Sequence, residues 1–158
     1  MSFENICRLL ESRGVTVEQI AEIVRALQLP YNPNLTLEAC IESVETVLRK
    51  REVQYTLLTG IALDQLAEEK KLPEPLQTIM EQDHPLFGVD EILALGITNV
   101  YGSIGLTSFG YLDKVKMGVI GRLNQHHSGC VHTFLDDLVA GIAAAASARL
   151  AHQQDQLP

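Results

Sequence analysis

Tryptophan is absent and aromatic residues make up only 5% of the chain, so a core has to be built from Leu, Ile, Val and Ala rather than from large rings. That mixture favours helices. Cations are in deficit: 12 Lys and Arg stand against 20 Asp and Glu, a formal net charge of −8. A nucleic-acid backbone needs clustered Lys and Arg, which excludes it as the main partner. Cys7, Cys40 and Cys130 are odd in number, far apart and without a C-x-x-C pair, which argues against zinc or redox work and fits reduced thiols in a cytoplasmic protein. The opening residues, "MSFENICRLLESRG", alternate charged and apolar side chains and lack a secretory apolar region. Long apolar runs are missing too. The uncharged stretch from Ile92 to Leu112 approaches bilayer length, but it holds Asn99, Ser103, Ser108, two Thr and four Gly between the acids Asp90, Glu91 and Asp113. It therefore reads as a buried pair of helices and not as a membrane span.

What remains is a chain of 158 residues, the length of one domain, taken here as residues 1–158. Thr16 and Gln19 stand at capping-box spacing ahead of Ile20, Ile23, Val24 and Leu27, and "LPYNPN" stops that helix with two prolines. Thr36 caps a second segment with Cys40, Ile41, Val44, Val47 and Leu48 inward, which either continues or breaks near "KREVQ". Beyond it Leu58, Ile61 and Ala62 recur at helical spacing up to Pro73 and Pro75, and a short helix follows near 75–82. "GSIG" at 102–105 lacks the third glycine and the preceding strand of a dinucleotide loop, so it reads as a turn or close-packing site. Phe109, Leu112, Val115, Val119, Ile120 and Leu123 share a helical period, "NQHHSGC" is a loop, and a last helix runs from about Phe134 to about Gln153. The fold expected is all-α: a single-domain multi-helix bundle with the Ala-rich helix at its centre, where Ala140, Gly141 and Ala143 to Ala146 let neighbours approach closely.

Three acidic groups sit beside strongly apolar sequence: Asp90 with Glu91, Asp113, and Asp136 with Asp137. A carboxylate at the edge of a buried helix is costly unless something neutralises it. Several that converge from separate helices suit a hard divalent cation, Mg²⁺ or Mn²⁺, which keeps positions open for phosphate oxygens and water. Lys116, three residues from Asp113, could act as a point charge on the same phosphate. Each pair taken alone also suits a helix N-terminus with no function. His132, four before Asp136, reads as a capping or surface histidine. His126, His127 and Ser128 lack a nucleophile motif. "EEKK" (68–71) reads as a solvated helix end.

"DHPLFGVDEILALG" (83–96), "FGYLDKVK" (109–116) and "FLDDLVAG" (134–141) together resemble, in order, three acidic motifs of the phosphatidylglycerophosphatase A family. Over nearly the whole chain the sequence is similar to the soluble branch of Gram-positive bacteria, the YutG-like or low-temperature-requirement C proteins. The resemblance implies a Mg²⁺-dependent phosphatase of lipid metabolism that converts phosphatidylglycerophosphate to phosphatidylglycerol. It implies Asp83, Asp90, Glu91, Asp113, Asp136 and Asp137 as metal residues, and Asp113, Lys116, Asp136 and Asp137 as catalytic ones. Gly110 stands where the family has Arg and Met117 where it has Pro, and the family's N-terminal Ala-Pro-Gly-Thr stretch has no counterpart. Losing that Arg removes a bidentate phosphate clamp.

The expected partner is a phosphorylated small molecule or lipid head group, met in the cytoplasm or by peripheral contact with a membrane, and the expected assembly is a homo-oligomer. Two other readings belong to different classes. A non-catalytic, oligomeric metal-binding descendant is favoured by Gly110. An all-α nucleotide pyrophosphatase is suggested by Glu42 and Glu45 in E-x-x-E spacing, but the second acidic pair is not evident.

Overall fold

A helix buried on every side organises the fold. The computed structural model describes residues 1–125 and 129–155, and nine α-helices lie among them: α1 (Phe3–Ser12), α2 (Val17–Gln28), α3 (Leu37–Leu48), α4 (Arg51–Glu68), α5 (Leu76–Glu81), α6 (Val89–Thr98), α7 (Ser103–Val115), α8 (Val119–Leu123) and α9 (Leu135–Gln154). No strand occurs among the described residues. From Leu135 to Ala148 every residue of α9 is buried. A helix with no wet face must be ringed by others, and α2, α3, α4, α6, α7 and α8 all pack on α9. The alanines make this possible by keeping the helix thin. At Gly141 an added Cβ would lie 3.0 Å from the carbonyl oxygen of Ala94, so α6 and α9 meet almost backbone to backbone.

Local signals start the early helices as their spacing predicts. Thr16 accepts from the Gln19 N–H while the Gln19 side chain accepts from the Thr16 N–H, closing a capping box, a contribution of about 1 kcal/mol. Thr36 accepts from the Ala39 N–H at the start of α3. The break between α3 and α4 falls at Arg49–Lys50. On α4 the inward face differs from the expected one: Ala62 is exposed and Leu58 half-buried, while Gln54, Leu57, Gly60, Ile61 and Asp64 face the core. Polar letters and a glycine on the buried face hid it from the apolar pattern.

The uncharged stretch does form two helices, α6 and α7, joined by a single 3₁₀ turn over Asn99–Tyr101. They are buried on one side only: Ile92 is 65% and Tyr111 51% exposed. No helix among the described residues is long and apolar enough to cross a membrane. In "GSIG", Gly102 takes the turn at φ +83° and Gly105 packs with its Cβ position 3.1 Å from the Thr98 carbonyl oxygen. The single helical period expected from Phe109 to Leu123 is broken. Lys116 turns left-handed at φ 54° and Gly118 at φ 59°, ending α7 and starting α8, and Val115 is left 46% exposed.

Candidate functional site

The break after α7 builds the site. A left-handed, non-glycine residue is uncommon, and Lys116 in that conformation ends α7 with its side chain among three aspartates. Its Nζ lies 3.0 Å from Asp113 Oδ1, 3.2 Å from Asp136 Oδ2 and 3.8 Å from Asp137 Oδ1. Asp113 comes from the last turn of α7, Asp136 and Asp137 from the first turn of α9. Gly141 brings α6 against α9 one turn further along, so the first-turn acids of α6, Asp90 and Glu91, face the same cleft. The segment before α6 completes it with Asp83, at φ 45°, and Leu86, at φ 65°. Three of the four positive-φ, non-glycine residues among the described ones therefore line one cleft of about 190 Å³. Strain of this kind concentrates at functional sites.

All seven residues named from the sequence, Asp83, Asp90, Glu91, Asp113, Lys116, Asp136 and Asp137, line this cleft. A larger cleft of about 800 Å³, lined by Leu27, Tyr31, Tyr111 and Met117 among others, holds no comparable cluster of acids.

Charge in the acid cleft is out of balance. Asp136 and Asp137 are 3% and 4% exposed, and burial pushes both carboxyls well above the usual carboxylate range. For Asp137 the neighbouring Asp136 and Asp90 add to the rise, and Lys116 only partly opposes it. Glu91 is raised as well, by burial and then by Asp113 and Asp90. Burial works against the Lys116 ammonium, but Asp136, Asp113 and Asp137 outweigh it and raise its pKa. Asp136 Oδ1 accepts from the Asp137 N–H at 2.9 Å, and Asp90 Oδ1 from the Glu91 N–H at 3.0 Å. Asp137 Oδ1 is buried without a hydrogen bond. Its 3.8 Å approach to Lys116 is an ion pair beyond hydrogen-bonding length. Among the described residues no three side chains of His, Cys, Asp or Glu stand where a bound ion would need them, and the Lys116 ammonium occupies the space between the aspartates.

The other residues weighed from the sequence fall outside this cleft. His132 lies against Arg13, ring nitrogen to guanidinium 3.4 Å. Glu42 is exposed, and Glu45 reaches toward Arg49 at 3.5 Å on the same solvated face. His126, His127 and Ser128 lie outside the described residues. Gly110 is exposed, with nothing within 4 Å of an added Cβ; the position has room for a long side chain and carries none. Sequence reasoning missed Asp64. This residue of α4 is wholly buried and accepts from the N–H groups of Phe134 and Leu135, each at 3.0 Å. Burial pushes its carboxyl up to about 8, despite those two donors. A lone Asp inside an amphipathic segment gives no signal of such a role.

A family model described as Phosphatidylglycerophosphatase A matches residues 8–152. The uncharacterized protein YpjQ of Bacillus subtilis (strain 168) is 60% identical over 149 residues, 94% of this chain and 84% of its own. The uncharacterized protein YutG of the same organism is 58% identical over 144 residues, 91% of this chain and 87% of its own. The crystal structure of the low temperature requirement C protein from Listeria monocytogenes has a TM-score of 0.95 to this fold at 55% identity, covering 98% of this chain and 97% of that one.

Proposed function

The chain belongs to the phosphatidylglycerophosphatase A family, and on that premise we propose that its acid cleft hydrolyses a phosphomonoester with Mg²⁺, or Mn²⁺ in its place, as cofactor. The observation that carries this reading is the crowding of buried carboxyls around one ammonium: Asp136 and Asp137 are held above their ordinary range, and Asp137 Oδ1 is buried without a hydrogen bond. One lysine does not neutralise such a set. A hard, oxygen-seeking divalent cation does. As they stand the side chains are gathered on Lys116 and not around an ion; with the ammonium displaced, Asp113, Asp136 and Asp137, with Asp83, Asp90 and Glu91 around them, would hold it. When bound, the ion would draw charge from phosphate oxygens and make a coordinated water more acidic.

The chain's own groups account for the rest. Lys116 is the ammonium lining the cleft, and phosphate would take it over from the aspartates as the ion takes the aspartates. A carboxylate of the cluster left off the ion accepts the proton of the attacking water. The water oxygen bonds to phosphorus, the ester P–O bond breaks, and the departing alkoxide leaves as an alcohol once protonated, giving inorganic phosphate. Asp90, Asp136 and Asp137 are buried at the base of the cleft, and charge interactions made there are stronger than in bulk water.

The family points to phosphatidylglycerophosphate, and the rim of the cleft suits a lipid. Leu86 is 100% exposed, and Val89 and Ile92, at 42% and 65%, follow on the first turns of α6. Leu86 lines the cleft, and exposed apolar side chains there and nearby on α6 offer an acyl chain something to lie against. Gly110 in place of the family's Arg favours the alternative, a helical metal-binding protein without catalysis. Phosphate release measured with and without Mg²⁺, on phosphatidylglycerophosphate in mixed micelles and on glycerol 3-phosphate in solution, separates lipid phosphatase, soluble phosphatase and non-catalytic protein.

A further inference from the structure

Gly60, Asp64 and Glu68 are spaced one helical turn apart on α4, so they share a face, and all three meet the segment that starts α9. At Gly60 an added Cβ would lie 2.5 Å from Leu138 Cδ1 and 3.2 Å from Phe134 Cβ, so the missing side chain lets the first turn of α9 close on α4. One turn on, Asp64 takes the N–H groups of Phe134 and Leu135, one on each carboxylate oxygen. Another turn on, Glu68 Oε1 takes the Val131 N–H at 2.8 Å. Arg13, just past the end of α1, grips the Glu68 carboxylate and donates to the Val131 carbonyl oxygen at 2.9 Å. The approach to α9 is thus held at both its N–H and its C=O groups.

This matters because α9 satisfies its first turn only in part: the Asp136 and Asp137 N–H groups find His132 O and Asp136 Oδ1, while those of Phe134 and Leu135 go to Asp64. Phe134 occupies the capping position and supplies no side-chain acceptor, and an unsatisfied first turn frays. Asp136 and Asp137 lie in that turn. We propose that Asp64 and Glu68 are positioning residues for the acid cleft: by fixing the start of α9 from α4, they set where Asp136 and Asp137 stand. Neither touches substrate; each acts through backbone N–H groups. The inference rests on the phosphatase reading for its kinetic consequence, since a misplacement of about 1 Å at a reacting centre costs on the order of 100-fold in rate.

The test is Asp64→Asn, compared with wild type and with Glu68→Gln. An Asn turns an N–H donor against one of the two N–H groups that now find acceptors. Circular dichroism fixes a temperature at which each variant is folded. There, phosphate release is measured at saturating Mg²⁺, and amide hydrogen exchange is followed along α9. The proposal expects kcat of Asp64→Asn to fall about tenfold or more with KM within about twofold. It also expects faster exchange confined to residues 134–138, and a smaller effect of the same kind, nearer 131, in Glu68→Gln. Unchanged kcat, or exchange that rises evenly along α9 as a general loss of stability would give, overturns it. If wild type releases no phosphate, the phosphatase reading fails and exchange alone decides: faster exchange at 134–138 upholds the positioning role, and unchanged exchange there refutes it. Should Asp64→Asn not fold, Glu68→Gln carries the same two readouts.

Discussion

Lys116 Nζ sits 3.2 Å from Asp136 Oδ2, a cation from the end of α7 set against a buried carboxylate at the start of α9. The aspartates around it have pKa values raised by burial and by one another. An ion entering the cleft therefore meets carboxyls that hold protons, and must release them. Calorimetric titration with Mg²⁺ in two buffers of different ionisation enthalpy is expected to show proton release near pH 7, with affinity rising as pH rises. Binding without proton release would contradict the charge state described for Asp137.

Asp137→Asn separates stability from function. Burial, Asp136 and Asp90 already favour the uncharged form of Asp137, and Asn keeps that form, so thermal unfolding in EDTA near pH 7 is expected to change little while Mg²⁺ affinity and phosphate release fall. A fall in both stability and activity would mean that Asp137 serves mainly the fold. Asp113→Asn and Lys116→Met, measured by phosphate release at saturating Mg²⁺, are each expected to lose roughly 100-fold or more, the usual cost of a lost proton acceptor or charge stabiliser.

How far these assignments could be read from sequence differs by element. The acids were legible because charged pairs beside apolar helices are conspicuous, and the cleft gathers every one of them. The central helix was legible from its alanines. What stayed hidden depends on contacts distant in sequence. Asp64 meets Phe134 and Leu135 across 70 and 71 positions, and nothing local distinguishes it from a solvated acid. The turn at Lys116 was hidden for another reason: Val115, Val119 and Ile120 keep a helical period through a break that Gly118 and the left-handed Lys116 impose.

Asp64 also gives the metal-free protein a pH dependence whose sign is fixed. Its folded pKa, about 8, lies above the ordinary 3.8, so the folded state favours the protonated form. That stability is fully present below the unfolded pKa and is lost as pH rises through about 8. Asp136 and Asp137 add in the same direction. Thermal unfolding in EDTA between about pH 6 and about pH 9 is expected to show a falling midpoint, less steep in Asp64→Asn. A rising midpoint would contradict the assignment.

The close approach of α6 to α9 gives a packing prediction. Gly141→Val places a branched side chain where the Ala94 carbonyl oxygen already lies 3.0 Å from the Cβ position. Overpacking of this kind costs about 1–3 kcal/mol. Denaturant unfolding is expected to show that loss, and Mg²⁺ affinity to fall with it, because α6 carries Asp90 and Glu91. A stability loss with unaltered affinity would separate the α6 acids from the ion.

The exposed Leu86 divides the two substrate sources. Leu86→Ser is expected to lower release from phosphatidylglycerophosphate in mixed micelles several-fold while leaving glycerol 3-phosphate hydrolysis near wild type, since one buried leucine contributes about 1.5–3 kcal/mol to an apolar contact. An equal effect on both would place Leu86 in the cleft's own architecture.

The most direct measurement for the central claim is inorganic phosphate release from a phosphomonoester by wild type and Asp136→Asn, with Mg²⁺ and with EDTA. Release by wild type with Mg²⁺ alone is expected, abolished by EDTA and reduced about 100-fold or more in Asp136→Asn. Release that persists in EDTA, or an Asp136→Asn rate equal to wild type, would contradict that claim.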